Sequence, residues 1–188
     1  MNVEHLRLLS SQYWYETLRD SILPFTLGTA DLGDDVLEMG PGPGLSTDLL
    51  RGRVGSLTAL ELDLQLADAL SSRLAGTNVE VVHVDGPPLP FGDRRFTGAA
   101  SFVLFHHVPT EEMQDRLFAE VARVLQPHSV FAAFDSMGSQ ELANFHGNDV
   151  YNTIDPDTLE PRLLRAGFAA VELQTLSYGW AVRAVTAG

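Results

Sequence analysis

The sequence has no cysteine, few basic residues and no long apolar run, and each of these absences narrows its possible function. Without cysteine, the chain cannot form a disulfide, a zinc–thiolate site or a thiol nucleophile. Lysine and arginine together number 12 against 25 aspartates and glutamates, which gives a net charge of −13. Because non-specific nucleic-acid affinity comes mostly from clustered basic residues, we expect no nucleic-acid partner.

The amino-terminal stretch MNVEHLRLLSSQYWYETLRD mixes charged and apolar residues at helical spacing. It has neither the apolar core of a signal peptide nor the length of a membrane-spanning run. We therefore expect a cytoplasmic protein with no membrane insertion. A length of 188 residues fits one hydrophobic core better than two, so a single domain over residues 1–188 is expected.

Helical patterns alternate with short apolar runs along the chain. Leu6, Leu9, Tyr13 and Leu18 predict a first amphipathic helix that ends near Pro24. Strands are predicted at residues 36–39, 56–60, 79–84, 98–104 and 130–134. Helices are predicted at residues 46–51, 64–74, 111–125 and 157–166. This alternation indicates right-handed crossovers and a doubly wound, mostly parallel α/β sheet with helices on both faces.

Two alternating runs close the chain, at residues 170–176 and 180–185, on either side of a Ser-Tyr-Gly turn. They predict an antiparallel hairpin at the edge of the sheet, which brings the expected number of strands to seven. Residues 136–156 form the one long stretch with an irregular pattern. Long loops of this kind are often functional in such sheets, so a substrate loop is expected there.

Glycine recurs three times between the first predicted strand and its helix, in the stretch DVLEMGPGPG. Gly40, Gly42 and Gly44 let the chain turn sharply and approach a ligand closely. Their spacing differs from the G-x-G-x-x-G of dinucleotide-binding proteins, and Glu38 would repel a phosphate. A ligand with an ammonium or hydroxyl groups fits this stretch better. The alternative is a turn that only packs the strand on the helix.

A second acid, Glu61, ends the next strand seventeen residues after Gly44. In a doubly wound sheet this is the place of a carboxylate that binds ribose hydroxyls. A solvated residue at the end of a strand is the alternative for Glu61. Asp63 is expected to cap the following helix.

Five ordered segments resemble the motif series of class I S-adenosylmethionine-dependent methyltransferases, particularly the ubiquinone/menaquinone-biosynthesis type. They are VLEMGPGPG, LTALELD, VVHVDGPPLPFGDRRF, SFVLFHHVP and RVLQPHSVFAAF, and together they span roughly residues 35–135. The resemblance implies a Rossmann-like methyltransferase fold, S-adenosylmethionine as the cofactor, and methyltransferase activity. It also implies a helical lid over residues 1–34, a cofactor-binding core over 35–135, and a substrate loop, helix and hairpin over 136–188.

The resemblance assigns parts of the cofactor to particular residues. Glu38 and the glycine turn would hold the methionine end, Glu61 the ribose, and Leu62 the adenine face. Asp85 and the amide of Gly86 would bind the adenine amino edge. The full predicted set is Glu38, Gly40, Pro41, Gly42, Gly44, Glu61, Leu62, Asp85, Gly86, Phe102 and His107.

The chain departs from the family pattern at two places, Thr97 and the turn Gln126-Pro-His-Ser129. The family usually has an aspartate at the first place and a basic residue followed by Pro-Gly-Gly at the second. Both departures are expected to be structural. They also leave open a non-catalytic domain that binds the cofactor as a sensor or partner subunit. An NAD-dependent oxidoreductase is a further alternative, which the glycine spacing disfavours.

His106 and His107 follow the fourth predicted strand, where the resemblance places a histidine pair near the sulfonium. Either could act as a catalytic base or line the pocket, and a packed or solvated histidine is the alternative. Asp135 is the one carboxylate at the next strand end, which is too few for a hard divalent ion. We therefore expect no metal site. The expected reaction is metal-independent transfer of the methyl group to the O-, N- or C-nucleophile of a small molecule.

The acceptor is expected to lie where the first helix, the loop after the fourth strand and residues 136–156 meet. The candidate walls are Tyr13, Trp14, Tyr15, Phe105, Phe145 and His146. Aromatic walls favour an apolar or planar acceptor and could also shield a cation, and ordinary packing is the alternative for them.

Overall fold

The computed structural model describes residues 2–147 and 149–188. Met1 and Asn148, which belong to the predicted single domain, lie outside the described residues. The strands are β1 (Asp35–Met39), β2 (Ser56–Glu61), β3 (Val79–His83), β4 (Phe96–Phe102), β5 (Leu125–Ser136), β6 (Phe168–Leu176) and β7 (Gly179–Thr186). Within the described residues these seven strands form one sheet in the order β3-β2-β1-β4-β5-β7-β6.

The helices lie before, between and after these strands. They are α1 (Val3–Leu9), α2 (Gln12–Thr17), α3 (Leu23–Leu27), α4 (Leu45–Leu50), α5 (Leu64–Arg73), α6 (Glu111–Val124), α7 (Gln140–His146) and α8 (Pro156–Ala166). A π-helical turn, Leu18–Ile22, joins α2 to α3, and a 3₁₀ turn, Phe105–His107, follows β4.

Strands β1 to β5 pair in parallel, and β7 runs antiparallel to both β5 and β6. The predicted doubly wound, mostly parallel sheet with a carboxy-terminal hairpin is therefore confirmed. Successive side chains of a strand alternate between the two faces of a sheet. In β1, Val36 packs in the cluster with Leu18 and Leu50, whereas Leu37 packs in the opposite cluster with Phe118. Helices cover both faces, which explains why the central strands are almost continuously apolar.

The single first helix predicted to end near Pro24 is wrong in both its continuity and its end. The α-helical pattern breaks between Leu9 and Gln12, because Ser11 caps a new helix by accepting a hydrogen bond from the Trp14 amide at 3.1 Å. The helical run then passes through Pro24 and ends at Leu27. Pro24 lies in the first turn of α3, where a missing N–H is tolerated.

The irregular segment predicted over residues 136–156 contains helix α7. Ser139 caps it by accepting a hydrogen bond from the Leu142 amide at 3.1 Å, and Gly147 ends it with φ of +59°. The polar composition of the segment gave no apolar periodicity from which this helix could be predicted. Its cap residues are nevertheless the usual ones, serine at the start and glycine at the end.

The two departures from the family pattern have structural roles. Thr97 Oγ1 accepts a hydrogen bond from the Asp35 amide and lies 3.0 Å from the Leu32 carbonyl oxygen, which fixes the start of β1. At the other departure, Thr186 Oγ1 donates to the Gln126 carbonyl at 2.6 Å and ties the start of β5 to the end of β7.

Among the described residues, no helix combines the length and the apolar character needed to cross a membrane.

Candidate active site between two adjoining cavities

The glycine turn between β1 and α4 adopts the left-handed backbone that its composition predicted. Gly42 has φ of +54° and lines a cavity of about 590 Å³ above the carboxyl ends of β1 and β4. Gly44 has φ of +89° but faces the other way. A Cβ on Gly44 would lie 2.3 Å from Leu70 Cδ1 and 2.5 Å from Arg73 Nη2. Gly44 therefore allows α5 to pack against the turn, it is not in the wall of this cavity, and its contact with the cofactor remains a prediction.

Glu61 links the turn to the end of β2. Its carboxylate accepts hydrogen bonds from the backbone amides of Gly42 at 2.9 Å, Leu62 at 3.0 Å and Asp63 at 3.0 Å. A carboxylate has about four acceptor positions, so one position remains on Oε2, the oxygen bonded to Gly42. The side chain thus shapes the cavity and can still accept a hydrogen bond from a hydroxyl group of a ligand.

Glu38 lies beneath the cavity rather than in its wall, and only 1% of it is exposed. Its Oε1 accepts a hydrogen bond at 2.5 Å from Ser46, whose side chain does reach the cavity. Its Oε2 is buried and has no hydrogen-bond partner among the described residues. Burial raises the pKa of this carboxyl to about 7. A cationic ligand above Ser46 would favour the ionised form.

The cavity unites most of the predicted cofactor residues. Those in its wall are Gly40, Pro41, Gly42, Glu61, Leu62, Phe102 and His107. Four predicted residues are outside the wall, namely Glu38, Gly44, Asp85 and Gly86. Asp85 points into solvent with 99% of its side chain exposed, because it lies in the open loop after β3. Contact of Asp85 and Gly86 with adenine remains a prediction.

Sequence analysis did not assign several residues of this wall to the cofactor site, although it named Trp14 as a candidate wall for the acceptor. Leu9, Trp14 and Leu18 cover the cavity from the amino-terminal helices, and Val103 with Leu104 closes the side after β4. The latter pair stands inside the SFVLFHHVP segment and could have been identified from it. The helical residues have no such signal, because their place over the sheet depends on how the first segment folds back.

A second cavity of about 480 Å³ adjoins the first. Leu9, Trp14 and Val103 belong to the walls of both cavities. The second cavity is lined mainly by aromatic and imidazole rings, those of His5, Tyr13, Trp14, Phe134, His106, Phe145, His146 and Tyr178. Of the predicted acceptor walls, Tyr13, Trp14, Phe145 and His146 therefore lie here.

Two predicted walls are elsewhere. Tyr15 is not among the residues that line either cavity. Phe105 is fully buried and packs its ring against Phe118, with 4.6 Å between the ring centroids. It belongs to the core under α6, because the 3₁₀ turn points this side chain inward.

His106 and His107, the predicted catalytic residues, meet two further histidines at the junction of the cavities. His106 Nδ1 lies 2.5 Å from Asp135 Oδ1, and the His106 amide donates to Asp135 Oδ2 at 3.1 Å. His107 lines the first cavity, whereas His5, His106 and His146 line the second. One ring nitrogen of each of the four histidines lies within 4.8 Å of the corresponding atoms of the others.

The expectation of no metal site was based on carboxylates alone, and the structure gathers imidazoles instead. Sequence reasoning missed His5 altogether. It is about a hundred residues from His106, and no ligand spacing connects the two. Burial lowers the pKa of His5 to about 4 and that of His107 to about 3, so both rings are neutral at pH 7.

Comparison with known proteins identifies the family. A family model described as "Methyltransferase domain" matches residues 37–133, just over half of the chain. A Methanopyrus kandleri protein named "Probable ribosomal RNA small subunit methyltransferase A" is 38% identical over 96 residues, which are 45% of this chain and 34% of that protein. A Saccharopolyspora erythraea "rRNA adenine N-6-methyltransferase" is 43% identical over 82 residues, or 39% of this chain and 21% of that protein. The matched segments thus span about a third or less of the length of these relatives.

A solved structure agrees on the fold over the whole chain. The S-adenosylmethionine-dependent methyltransferase of Aquifex aeolicus superposes with a TM-score of 0.73 and 17% sequence identity, covering 98% of each chain. This likeness extends beyond the segment matched by the family model and includes the amino-terminal helices and the carboxy-terminal hairpin.

One expectation from composition is wrong. Nucleic acid was excluded as a partner because of the net charge, but curated relatives are named for ribosomal RNA methylation. The net charge of a chain averages over its whole surface, so it does not determine what one face of the domain can bind.

The residues of the first cavity fit S-adenosylmethionine. The glycine turn leaves backbone close to a ligand, Glu61 keeps an acceptor position for a hydroxyl, and the unpartnered Glu38 Oε2 lies below a place for a cationic group. The family match supports methyl transfer rather than hydride transfer, without distinguishing the ubiquinone type. The chain therefore belongs to the methyltransferase domain family.

Proposed function

We propose that the protein transfers the methyl group of S-adenosylmethionine to a small-molecule acceptor bound in the second cavity. The observation that carries this proposal is that the two cavities adjoin across Leu9, Trp14 and Val103. A donor in the first cavity and an acceptor in the second would face each other at this boundary.

The chain mainly has to align the two partners. S-adenosylmethionine supplies a methyl group that its positive sulfur already makes electrophilic. Gly42 and Glu61 fix the floor for the donor, while Leu9, Trp14 and Leu18 cover it from above. These contacts support the proposed helical lid over residues 1–34. Holding two reactants in line can supply a large part of a rate enhancement by itself.

The walls of the second cavity favour a neutral acceptor with a flat or apolar face. Tyr13, Phe134, Phe145 and Tyr178 supply aromatic surface. Its lining residues, taken from the described part of the chain, include no lysine, arginine, aspartate or glutamate. A charged acceptor would lose hydration there without gaining an ion pair. Phenols and quinols therefore fit this cavity better than carboxylates or amines.

His106 and His107 are proposed to act at the boundary between the cavities. The Nε2 atoms of both are buried and have no hydrogen-bond partner among the described residues. A free Nε2 can accept a proton from the acceptor or bind a metal ion. Asp135 holds the ring of His106 through Nδ1, which leaves Nε2 as the free atom.

A base of an RNA strand is a second candidate for the acceptor. The names of the curated relatives favour it. A single base turned out of its strand is also planar and can enter an aromatic pocket.

The test is transfer of a labelled methyl group, with separate arms for small molecules and RNA. The protein is incubated with labelled S-adenosylmethionine and either a panel of phenols, quinols, carboxylates and amines or purified ribosomal RNA. We expect label in phenols or quinols, and less label with Phe145→Ala. Gly42→Val serves as the variant without cofactor binding. Label in RNA alone would overturn the small-molecule proposal in favour of the second candidate.

A further inference from the structure

The four histidines at the boundary of the cavities, His5, His106, His107 and His146, form what is here termed the histidine cluster. They come from three separate parts of the fold, namely α1, the 3₁₀ turn after β4, and the end of α7. The chain has six histidines, so most of them meet at one point. Helix and sheet packing alone does not require such a convergence.

Each histidine of the cluster has one buried ring nitrogen without a protein partner. These atoms are His5 Nδ1, His106 Nε2, His107 Nε2 and His146 Nε2, all of them buried and without a hydrogen bond among the described residues. Only 4% of His5, 3% of His106 and 2% of His146 is exposed. Buried polar atoms are nearly always paired, so four orphaned nitrogens in one place indicate a missing partner.

The opposite nitrogens of two rings are held in the arrangement typical of metal ligands. His106 Nδ1 lies 2.5 Å from Asp135 Oδ1, and His146 Nδ1 lies 2.6 Å from the Leu142 carbonyl oxygen. A histidine that binds a metal usually donates its other N–H to a carboxylate or a backbone carbonyl, which fixes the tautomer and the ring orientation. Both bonds occupy Nδ1 and leave Nε2 as the ring nitrogen without a protein partner.

We propose that the histidine cluster binds one divalent transition-metal ion, with Zn²⁺ as the best match. Imidazole is a ligand for zinc, copper, nickel and iron, whereas magnesium and calcium require oxygen ligands. Four imidazole nitrogen donors suit the tetrahedral geometry that Zn²⁺ accepts readily. His106 and His107 are then metal ligands rather than free bases.

The geometry needs only small adjustments to close around an ion. The four nitrogens now lie within 4.8 Å of one another. Zinc–nitrogen bonds of about 2.0–2.1 Å place tetrahedral ligands closer together, so each ring must move inward by less than about 1 Å. His5 and His146 lie on short helices near the surface of the fold, where side-chain and helix adjustments of this size are feasible.

An ion in the cluster would join parts of the fold that otherwise make few contacts. It would fix α1 and α7 to the turn after β4, and so hold the lid and one wall of the second cavity in place. Asn2 supports the same arrangement, because its side-chain amide donates to the carbonyl oxygens of Phe145 and His146 at 3.0 and 3.2 Å.

Metal binding is tested on the full chain without a polyhistidine tag, after treatment with a chelator. Zn²⁺ is titrated by calorimetry and Co²⁺ by visible absorption, with neither cofactor nor acceptor present. We expect one ion per chain, intense Co²⁺ absorption bands of a four-coordinate site, and a higher unfolding temperature with Zn²⁺. His5→Ala and His146→Ala should each weaken Zn²⁺ binding at least 100-fold. Asp135→Asn, which keeps the size of the side chain but replaces the carboxylate that holds His106, should weaken it about 10- to 100-fold.

The matched control is His128→Asn, since His128 is an exposed histidine outside the cluster and asparagine tolerates its left-handed φ of +59°. It should bind Zn²⁺ within about twofold of the unsubstituted protein. If an alanine variant unfolds, imidazole NMR signals of the unsubstituted protein decide: Zn²⁺ must shift those of the four cluster histidines and leave those of His83 and His128 unchanged. Absence of saturable binding, or binding that survives both alanine substitutions, would overturn the metal site. Either result leaves the proposed methyl transfer intact, because no turnover enters the measurement.

Discussion

The two adjoining cavities share three wall residues but are built in different ways. The floor of the first cavity is a backbone cradle formed by the glycine turn and the end of β2, and the side chains of Leu9, Trp14 and Leu18 cover it. The second is formed by side chains from the amino-terminal helices, α7, and the turn between β6 and β7. The difference matters because a backbone cradle needs only glycines and a strand end, whereas a cavity of side chains needs distant segments to pack together.

This difference follows the boundary of the segment that the family model matches. The donor side is fixed by strand–turn–helix geometry that other residues hardly influence. Residues 37–133 match the family model, and this range contains the glycine turn, Glu61 and the histidine pair. His5 and His146, from the acceptor side, lie outside it. The acceptor side can therefore vary without loss of the donor site.

The largest expected effect is on the backbone cradle. Gly42→Val should abolish detectable binding of S-adenosylmethionine, because φ of +54° is strained for a branched residue and the side chain would project into the cavity. Titration calorimetry measures it. Gly76→Val is the matched control, since Gly76 has φ of +78° but no described atom within 4 Å of a Cβ there. Normal cofactor binding by Gly42→Val would show that the turn is not part of the donor site.

The next effect concerns the carboxyl beneath the cradle. Burial raises the pKa of Glu38 to about 7, above its ordinary value of 4.5. Between these two values the folded protein holds a proton that the unfolded chain has lost, so the free energy of unfolding falls as pH rises from 4.5 to about 7 and then levels off. Glu38→Gln removes this loss and should gain stability relative to the unsubstituted protein between pH 4 and pH 8, by about 3 kcal/mol.

Denaturant unfolding at the two pH values, without cofactor, measures this difference. For each protein, the free energy of unfolding at pH 8 is compared with that at pH 4. The cost of changing the Ser46 hydrogen bond is the same at both pH values and therefore cancels. A pH dependence identical in both proteins would show that Glu38 is ionised in the free fold. The cradle would then be open to water from below.

Substitution of Glu61 should have an intermediate effect on S-adenosylmethionine affinity, because Glu61 both holds the glycine turn and can bind the ligand. Glu61→Ala removes the acceptor for three backbone amides and the position left for a ligand hydroxyl. Loss of such hydrogen bonds costs about 1–3 kcal/mol, so we expect roughly 10- to 100-fold weaker S-adenosylmethionine binding. Glu61→Gln retains one oxygen and should lose less. Equal affinity in all three proteins would remove Glu61 from the donor site.

The smallest expected effect lies across the boundary between the cavities. Tyr13 lines only the second cavity, so Tyr13→Ala should leave S-adenosylmethionine affinity within about twofold. Trp14→Ala, which alters the wall of both cavities, is the comparison and should weaken the same affinity further. If Tyr13→Ala weakened cofactor binding as strongly as Trp14→Ala, the two cavities would have to be regarded as one site.

The sequence by itself determined the sheet, its order of helices and strands, and most of the donor site. Local patterns were sufficient because each strand and the glycine turn are continuous in the chain. A tight turn with a positive φ requires a glycine, such as Gly42, and a glycine can be recognised in the sequence. Even the departures at Thr97 and Gln126 could be identified as structural, since both lie at the beginning of strands.

Tertiary structure alone decided which glycine faces the ligand, where the first helix breaks, and which histidines meet. Gly44 and Gly42 look equivalent in sequence, but Leu70 and Arg73 occupy the space beside Gly44. His5, His106 and His146 have no common spacing, because they converge only after α1 and α7 fold against the turn that follows β4. Residues that contact one another through long loops leave no periodic trace in a chain, which is the physical reason the histidine cluster could not be predicted.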